Sequence, residues 1–438
     1  MKIRLSVLVI LAALMFHSAL PAAGPAIAFV GVNVVPMNRD GVLTNHTVIV
    51  QDGRITAVGP SDKTTAPAGS VRVEGRGKYL MPGLAEMHGH IPPPNSPPQF
   101  IEDVLFMYVA NGVTTVRGML GSEGQLALRE RAKRNEIISP ALYLAGPSFN
   151  ANTPKTPEEA VQMVRSQKAA GWDLLKVHPG PTVPIYDAMA RTAKEAGIRF
   201  GGHVPPAVGL LHVLRSGQET IDHVDGYIEH VQDATGRMDD VKLKEVLRLT
   251  KDSGTWIVPT MALWETLQGA LDLQTVTGYP ELKYMPPNTV QQWTTTHRNR
   301  LAAPNFKPEL AKRTIANRMV ILRGLHMSGV PILLGTDAPQ QFSVPGFSIH
   351  REMTRMITAG MKPYDVIKSG TQNVGLYFKA QDSFGTIEAG KRADLILVDG
   401  NPLENVANVA RRSGVMVRGA WLPETDIQAR LAKIAAAY

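Results

Sequence analysis

Cysteine is absent from the 438 residues, so the chain has no disulfide to staple it and no thiol to carry a lipid. Charged residues are modest at 19% against a hydrophobic fraction of 44%, an ordinary balance for a globular protein. No internal window is long and apolar enough to span a membrane. No repeat and no low-complexity tract is visible, so nothing points to a stacked array. The formal net charge of +8 is spread along the chain and partly sits in its first residues, so it argues only weakly for nucleic acid or anionic surfaces, and no nucleic-acid partner is expected. What is present is length, enough for one barrel-sized domain and a smaller satellite.

The chain begins with Lys2 and Arg4, then the apolar run Leu5 to Phe16, then Ala19, Leu20, Pro21, Ala22, Ala23 and Gly24. The order charged, apolar, small is that of a secretory signal peptide over residues 1–24. The run is interrupted by His17 and Ser18, which is short for a membrane anchor. A secreted or periplasmic protein is expected, with no anchor left after cleavage.

The stretch TVIVQDGRITAVG from Thr47 to Gly59 reads as two strands joined by Asp52-Gly53, a dipeptide suited to a tight hairpin. Gly385 to Leu422 is a second β-rich stretch. Strands at both ends flanking an α/β middle predict a small β-sandwich from residues 25–80 and 381–438. Between them, over 81–380, strand-then-helix units recur. Candidate strands are Leu80–Met87, Thr114–Arg117, Ala141–Ala145, Leu174–Val177, Ile198–Gly202, Thr220–His223, Trp256–Thr260 and Ile332–Thr336. The fold class is therefore α/β, a (β/α)8 TIM barrel with its active site at the carboxyl ends of the strands. Trp264 to Pro308, with its prolines and aromatics and no clear strand, is read as an irregular insertion, a lid or a structural excursion.

Polar residues fall at the ends of these strands. His88 and His90 lie two apart, so both imidazoles of a strand face one side and can grip one metal. Lys176 ends the apolar run DLLKV, where an ammonium facing a barrel interior is costly without a partner. His203 follows RFGG, His223 follows ETID, and Asp337 follows PILLGT. Taken singly, each has a plain structural alternative: a snorkelling lysine, core histidines, a capping aspartate.

Taken together, with the flanking PGLAEMHGH, GVTTVRG, SIHREM and GTIEAGKRADLILVDGNPLENV stretches, the set resembles the amidohydrolase superfamily, and within it the binuclear imidazolonepropionase-like and prolidase-like enzymes. The resemblance covers nearly the whole mature chain. It implies a binuclear centre, with zinc the best-suited metal, in which His88, His90 and Asp337 hold one ion and His203 and His223 the other. Lys176, carboxylated by carbon dioxide, would bridge them, and Asp337 would be the catalytic proton shuttle. Charge counting agrees: two dications bring four positive charges, and a carbamate, an aspartate and a bridging hydroxide offset three, whereas an ammonium would add a fifth.

The activity implied is hydrolysis of an amide in a small substrate such as a dipeptide or N-acyl amino acid. Alternatives are a cyclic amide, lactone or ester at the same centre, or a non-catalytic binding protein on the same barrel. A deaminase is disfavoured, because such enzymes usually keep one metal. Arg117, His178 and His350 are candidate substrate contacts, with a buried ion pair the alternative for Arg117 and a helix start for His350. His212, His230, His297 and His326 are assigned no chemistry, and a homo-oligomer is left open.

Overall fold

The computed structural model describes residues 24–93, 95–379 and 381–438; all but the last residue of the expected leader lies outside them. The first five strands are β1 (Ile27–Val34), β2 (Leu43–Gln51), β3 (Arg54–Pro60), β4 (Val71–Glu74) and β5 (Tyr79–Pro82). Seven more alternate with helices: β6 (Leu84–Gly89), β7 (Val113–Gly118), β8 (Ala141–Leu144), β9 (Leu174–Val177), β10 (Arg199–Gly202), β11 (Thr220–Asp222) and β12 (Trp256–Val258). The last three are β13 (Leu395–Val398), β14 (Arg412–Val417) and β15 (Ala420–Pro423).

Strands from the two chain ends do meet. They form one eight-stranded sheet in the order β15-β14-β13-β5-β1-β2-β3, with β4 also beside β1. The join is antiparallel pairing of β13 with β5, Ile396 opposite Met81. The predicted hairpin turns at Asp52 and Gly53, both at positive φ, the conformation that an Asp-Gly pair tolerates. By hydrogen bonding this is one continuous sheet, with Phe29, Val48, Leu80, Leu395 and Met416 buried together in a core of their own.

The middle of the chain is parallel. β6-β7-β8 form one sheet and β9 to β12 another, and single bridges Ala145↔Leu174 and Phe149↔Val177 link them. The expected eighth strand is less regular: Ile332 makes one bridge to Ile257. Leu333 N donates to Ile257 O at 2.8 Å, and Met87 N donates to Leu334 O at 2.9 Å. This segment therefore bonds to β12 on one side and to β6 on the other.

Proline and glycine punctuate the helices between these strands. Pro98, Pro157, Pro308 and Pro363 each open one, where a missing N–H costs nothing. Thr156 caps the amide of Glu159, and Gly171, Gly197 and Gly254 end helices in the left-handed conformation, as helix C-termini favour. The same rule explains the Trp264 to Pro308 region, which is helical rather than irregular. It holds the end of helix Met261–Leu267, then Leu273–Thr277, a 3-10 turn at Pro280–Tyr284 and Pro287–Leu301. Pro280 and Pro287 start helical segments instead of breaking them.

One expected strand, Leu80–Met87, is two strands in two sheets. The chain leaves the terminal sheet at Pro82 and enters the parallel one at Leu84, turning at Gly83. A Cβ on Gly83 would lie 2.1 Å from Thr114 Oγ1 and 2.6 Å from its Cγ2, so only glycine lets the two sheets approach here. Gly83→Ala is expected to destabilise the fold by about 1–3 kcal/mol through overpacking. In urea unfolding this reads as a lower midpoint with an unchanged slope.

Candidate metal centre

Parallel strands point their carboxyl ends the same way, so residues just past those ends share one face. His88 lies on β6 with His90 just beyond it, Lys176 lies on β9, and His203 and His223 follow β10 and β11 directly. Asp337 follows the 332–334 segment, its amide bonded to His88 O at 2.7 Å. These six side chains converge. Ring centroids are 4.5 Å apart for His88 and His223 and 4.5 Å for His203 and His223. Lys176 Nζ lies 3.2 Å from His88 Nε2. Asp337 Oδ1 is 2.6 Å from His90 Nε2 and 3.5 Å from His88 Nε2, while its Oδ2 is 3.7 Å from His223 Nε2.

The outer nitrogens of His203 and His223 are held by protein oxygen, and that of His88 faces Asp222 without making a hydrogen bond among the described residues. His88 Nδ1 lies 2.8 Å from Asp222, His203 Nδ1 lies 2.6 Å from Asp225, and His223 Nδ1 lies 2.7 Å from Thr260 Oγ1. A carboxylate only accepts, so Asp225 keeps the proton on His203 Nδ1 and leaves its Nε2 lone pair facing inward, while the Thr260 hydroxyl orients the His223 ring. His223 Nε2 is buried and has no hydrogen-bond partner among the described residues. Burial, then the Lys176 charge and its neighbours, holds His88 well below the ordinary histidine range. Burial, then the adjacent histidines, does the same for His223. Both rings are neutral at physiological pH, the state a ligand needs.

Lys176 is fully buried. Burial brings its ammonium down to about 8, against the opposing pull of Asp222 and Asp337. Backbone strain gathers at the same place: His223, Val224, Thr260 and Asp337 all have φ between 49° and 66°. Left-handed backbone in non-glycine residues costs roughly 1–3 kcal/mol each and persists where surrounding contacts impose it, commonly at functional sites.

The supporting residues were not singled out in the sequence. Asp222 and Asp225 flank His223 in IDHVDG, which was a visible signal, whereas Thr260 comes from a different strand end. Glu86 accepts from His88 N at 3.0 Å and from Thr336 N at 2.7 Å, tying β6 to the Asp337 segment from below. Its burial raises the carboxyl to about 8.

Two expected substrate contacts are corrected. Arg117 has no exposed surface; it donates to Asp222 at 3.0 and 3.2 Å, to Thr220 Oγ1 at 3.0 Å and to Met87 O at 2.5 Å. It is the buried ion-pair alternative, leaving no donor for a substrate. Burial raises the Asp222 carboxyl, but Arg117 and then Lys176 outweigh it and hold it below the usual carboxylate range. His350 faces Asn111 Oδ1 at 3.3 Å, and burial, then the Arg412 charge, lowers it to about 3; it belongs to the packing against the terminal sheet. His178 stays at the site, half-buried and stacked on His203 with centroids 5.2 Å apart. His212 and His326 sit against Asp187 and Asp365, and His297 against Leu271 O.

Inward lone pairs beside a carboxylate are what a divalent metal takes. Among the described residues, His88, His90 and Asp337 form the one group whose ligand atoms all lie within 4.8 Å of one another. The model of the amidohydrolase family matches residues 79–422. The chain belongs to the amidohydrolase family. Amidohydrolases are metal-dependent, and the donor set here fits that requirement. Among solved amidohydrolase folds, a bottromycin amidohydrolase is 23% identical, covering 94% of this chain and 92% of its own, with a TM-score of 0.74. A Xaa-Pro dipeptidase with methionine bound in its active site is 20% identical over 91% of this chain and 100% of its own, with a TM-score of 0.67. At these identities the likeness is one of fold.

Of curated amidohydrolase relatives, adenine deaminase 3 of Rhizobium meliloti is 21% identical over 81% of this chain, and an adenine deaminase of Paracoccus denitrificans is 25% identical over 42%. The matched region spans about half of the first of these relatives and a third of the second, 52% and 33% of their lengths.

Arg117→Met leaves Asp222 as a buried charge without its main counter-ion. The expected cost is about 3–5 kcal/mol of stability, measured by urea unfolding of the metal-free chain. A substrate contact would instead raise KM and leave stability unchanged.

Proposed function

We propose that this amidohydrolase is a binuclear metal-dependent enzyme that cleaves the C–N bond of an amide in a small substrate such as a dipeptide or N-acyl amino acid. The observation that carries this reading is the inward convergence of imidazole Nε2 atoms around a fully buried lysine, with the outer nitrogens of His203 and His223 held by oxygen and that of His88 2.8 Å from Asp222. His88, His90 and Asp337 would hold one ion and His203 and His223 the other. A carbamate on Lys176 would stand between them; a lysine brought down to about 8 has far more of the neutral amine that adds to carbon dioxide than an ordinary one. Four imidazoles with oxygen ligands suit zinc.

When bound, the metals would acidify water and polarise the scissile carbonyl. The chain's own residues do the rest. Asp337, its Oδ2 accepting from Gln340 Nε2 at 2.9 Å, accepts the proton of the attacking water and returns it to the leaving nitrogen. His178, on the rim above His203, is the side chain best placed to touch the substrate.

The same reading takes β6 to β12 plus the 332–334 segment as a closed eight-unit barrel. It is supported by the bonds of Leu333 to β12 and of Leu334 to β6. It takes the terminal sheet as a sandwich-like satellite domain, and residues 1–24 as an export signal. Among the described residues no helix is long and apolar enough to cross a membrane. A second reading, hydrolytic deamination of an aminated ring, is favoured by the adenine deaminases among the sequence relatives.

The test is a screen of the metal-loaded chain against dipeptides, N-acyl amino acids, cyclic amides, lactones and adenine. Amine release from the first two groups is expected. Ammonia from adenine with no peptide cleavage would favour the second reading instead. On the substrate found, Asp337→Asn should lower kcat by about 10²- to 10⁴-fold while metal stays bound. Near wild-type kcat would move the proton transfer to another group, His178 first.

A further inference from the structure

The helix Ser348–Thr358 packs behind the centre and carries the SIHREM stretch, whose glutamate has no part in the chemistry above. Glu352 has no exposed surface. One carboxylate oxygen accepts from Met261 N at 2.8 Å and the other from Ala262 N at 2.8 Å. Those amides open the helix Met261–Leu267, and the residue before them is Thr260, at φ 49°. Thr260 Oγ1 is the group 2.7 Å from His223 Nδ1.

The first amides of a helix have no partner within it, and Met261 is buried. Thr260 does not cap them with its own side chain, because that hydroxyl is turned to His223. Glu352 supplies what is missing, and in doing so allows Thr260 its strained backbone. An amide in its place would bring an NH2 against one of the two N–H donors, so the pair of bonds requires a carboxylate.

Other contacts keep this helix in register with the centre. Ser348 Oγ donates to Thr336 Oγ1 at 3.0 Å, next to Asp337, and Arg355 donates to Glu265 at 2.7 Å. From the other side Arg318 donates to the His223 carbonyl and stacks on Trp264, its carbon 3.7 Å from the ring centroid.

We propose that Glu352 is a positioning residue for the second metal position: by holding the Met261 and Ala262 amides it fixes Thr260, which fixes the angle of His223. The proposal rests on the binuclear reading of the site. Its reach is to His223 and not to the His88, His90 and Asp337 group, so its loss should weaken one metal and spare the other.

The experiment is a competition titration of zinc against a chromogenic chelator on the full chain. It compares wild type, Glu352→Gln, Thr260→Val, Thr260→Ser and the Glu352→Gln/Thr260→Val double variant, with circular-dichroism melts as the folding control. Glu352→Gln and Thr260→Val should each weaken the second zinc at least tenfold and leave the first unchanged. Thr260→Ser, which keeps the hydroxyl, should behave as wild type. The double variant should be no weaker than the worse single one, because both act through one hydrogen bond.

Two full-affinity zinc ions in Glu352→Gln would overturn the proposal, as would a double variant whose effect is the product of the two. Should Glu352→Gln fail to fold, Glu352→Asp, whose carboxylate is withdrawn by one methylene, goes through the same cycle with the same deciding outcomes. A wild-type chain that binds fewer than two zinc ions would instead remove the binuclear reading itself.

Discussion

The contact between His223 Nδ1 and Thr260 Oγ1, with Asp225 bonded to His203 Nδ1 and Asp222 2.8 Å from His88 Nδ1, goes with the Nε2 edge of each ring facing inward. The imidazoles and the lysine packed toward a common point satisfy one another only in part: Lys176 Nζ meets His88 Nε2, and His223 Nε2 has no partner among the described residues. Their burial is costly in the absence of cations. The rest of the carboxyl-end face can be understood as the framework that enforces this arrangement: Arg117 neutralising Asp222, Glu86 pinning Thr336, Arg318 holding the His223 carbonyl.

The framework is assembled from elements distant in sequence. Glu86 joins β6 to a segment 250 residues away, and Glu352 joins a late helix to the start of one 91 residues earlier. Four non-glycine residues around the centre sit at positive φ, a local cost that the surrounding packing carries. Such strain is tolerable in a chain with a large continuous core and would be unaffordable in a small one.

The parallel strands and the positions of the six ligand-type residues were legible because short apolar runs end at polar residues, and parallel strands send every such end to one face. The hairpin at Asp52-Gly53 was legible for a local reason too. What was not legible depends on direction and on partners. Arg117 lies on a strand, and whether its guanidinium faces a substrate or an internal carboxylate is set by Asp222, 105 residues on. His350 was read as a substrate contact, but its ring faces Asn111, which lies 239 residues earlier. The break at Gly83 was hidden inside one apolar run, since only the approach of Thr114 reveals it. The insertion was read as irregular because it shows no strand, but Pro280 and Pro287 open helical segments there.

The most direct measurement is anomalous diffraction from crystals of the zinc-loaded chain. The account predicts two peaks inside the cluster, one against His88, His90 and Asp337 and one against His203 and His223. Continuous density should extend from Lys176 Nζ toward both as a carboxyl group. A single peak, or a Lys176 amine unmodified and turned away from the metal, would contradict it.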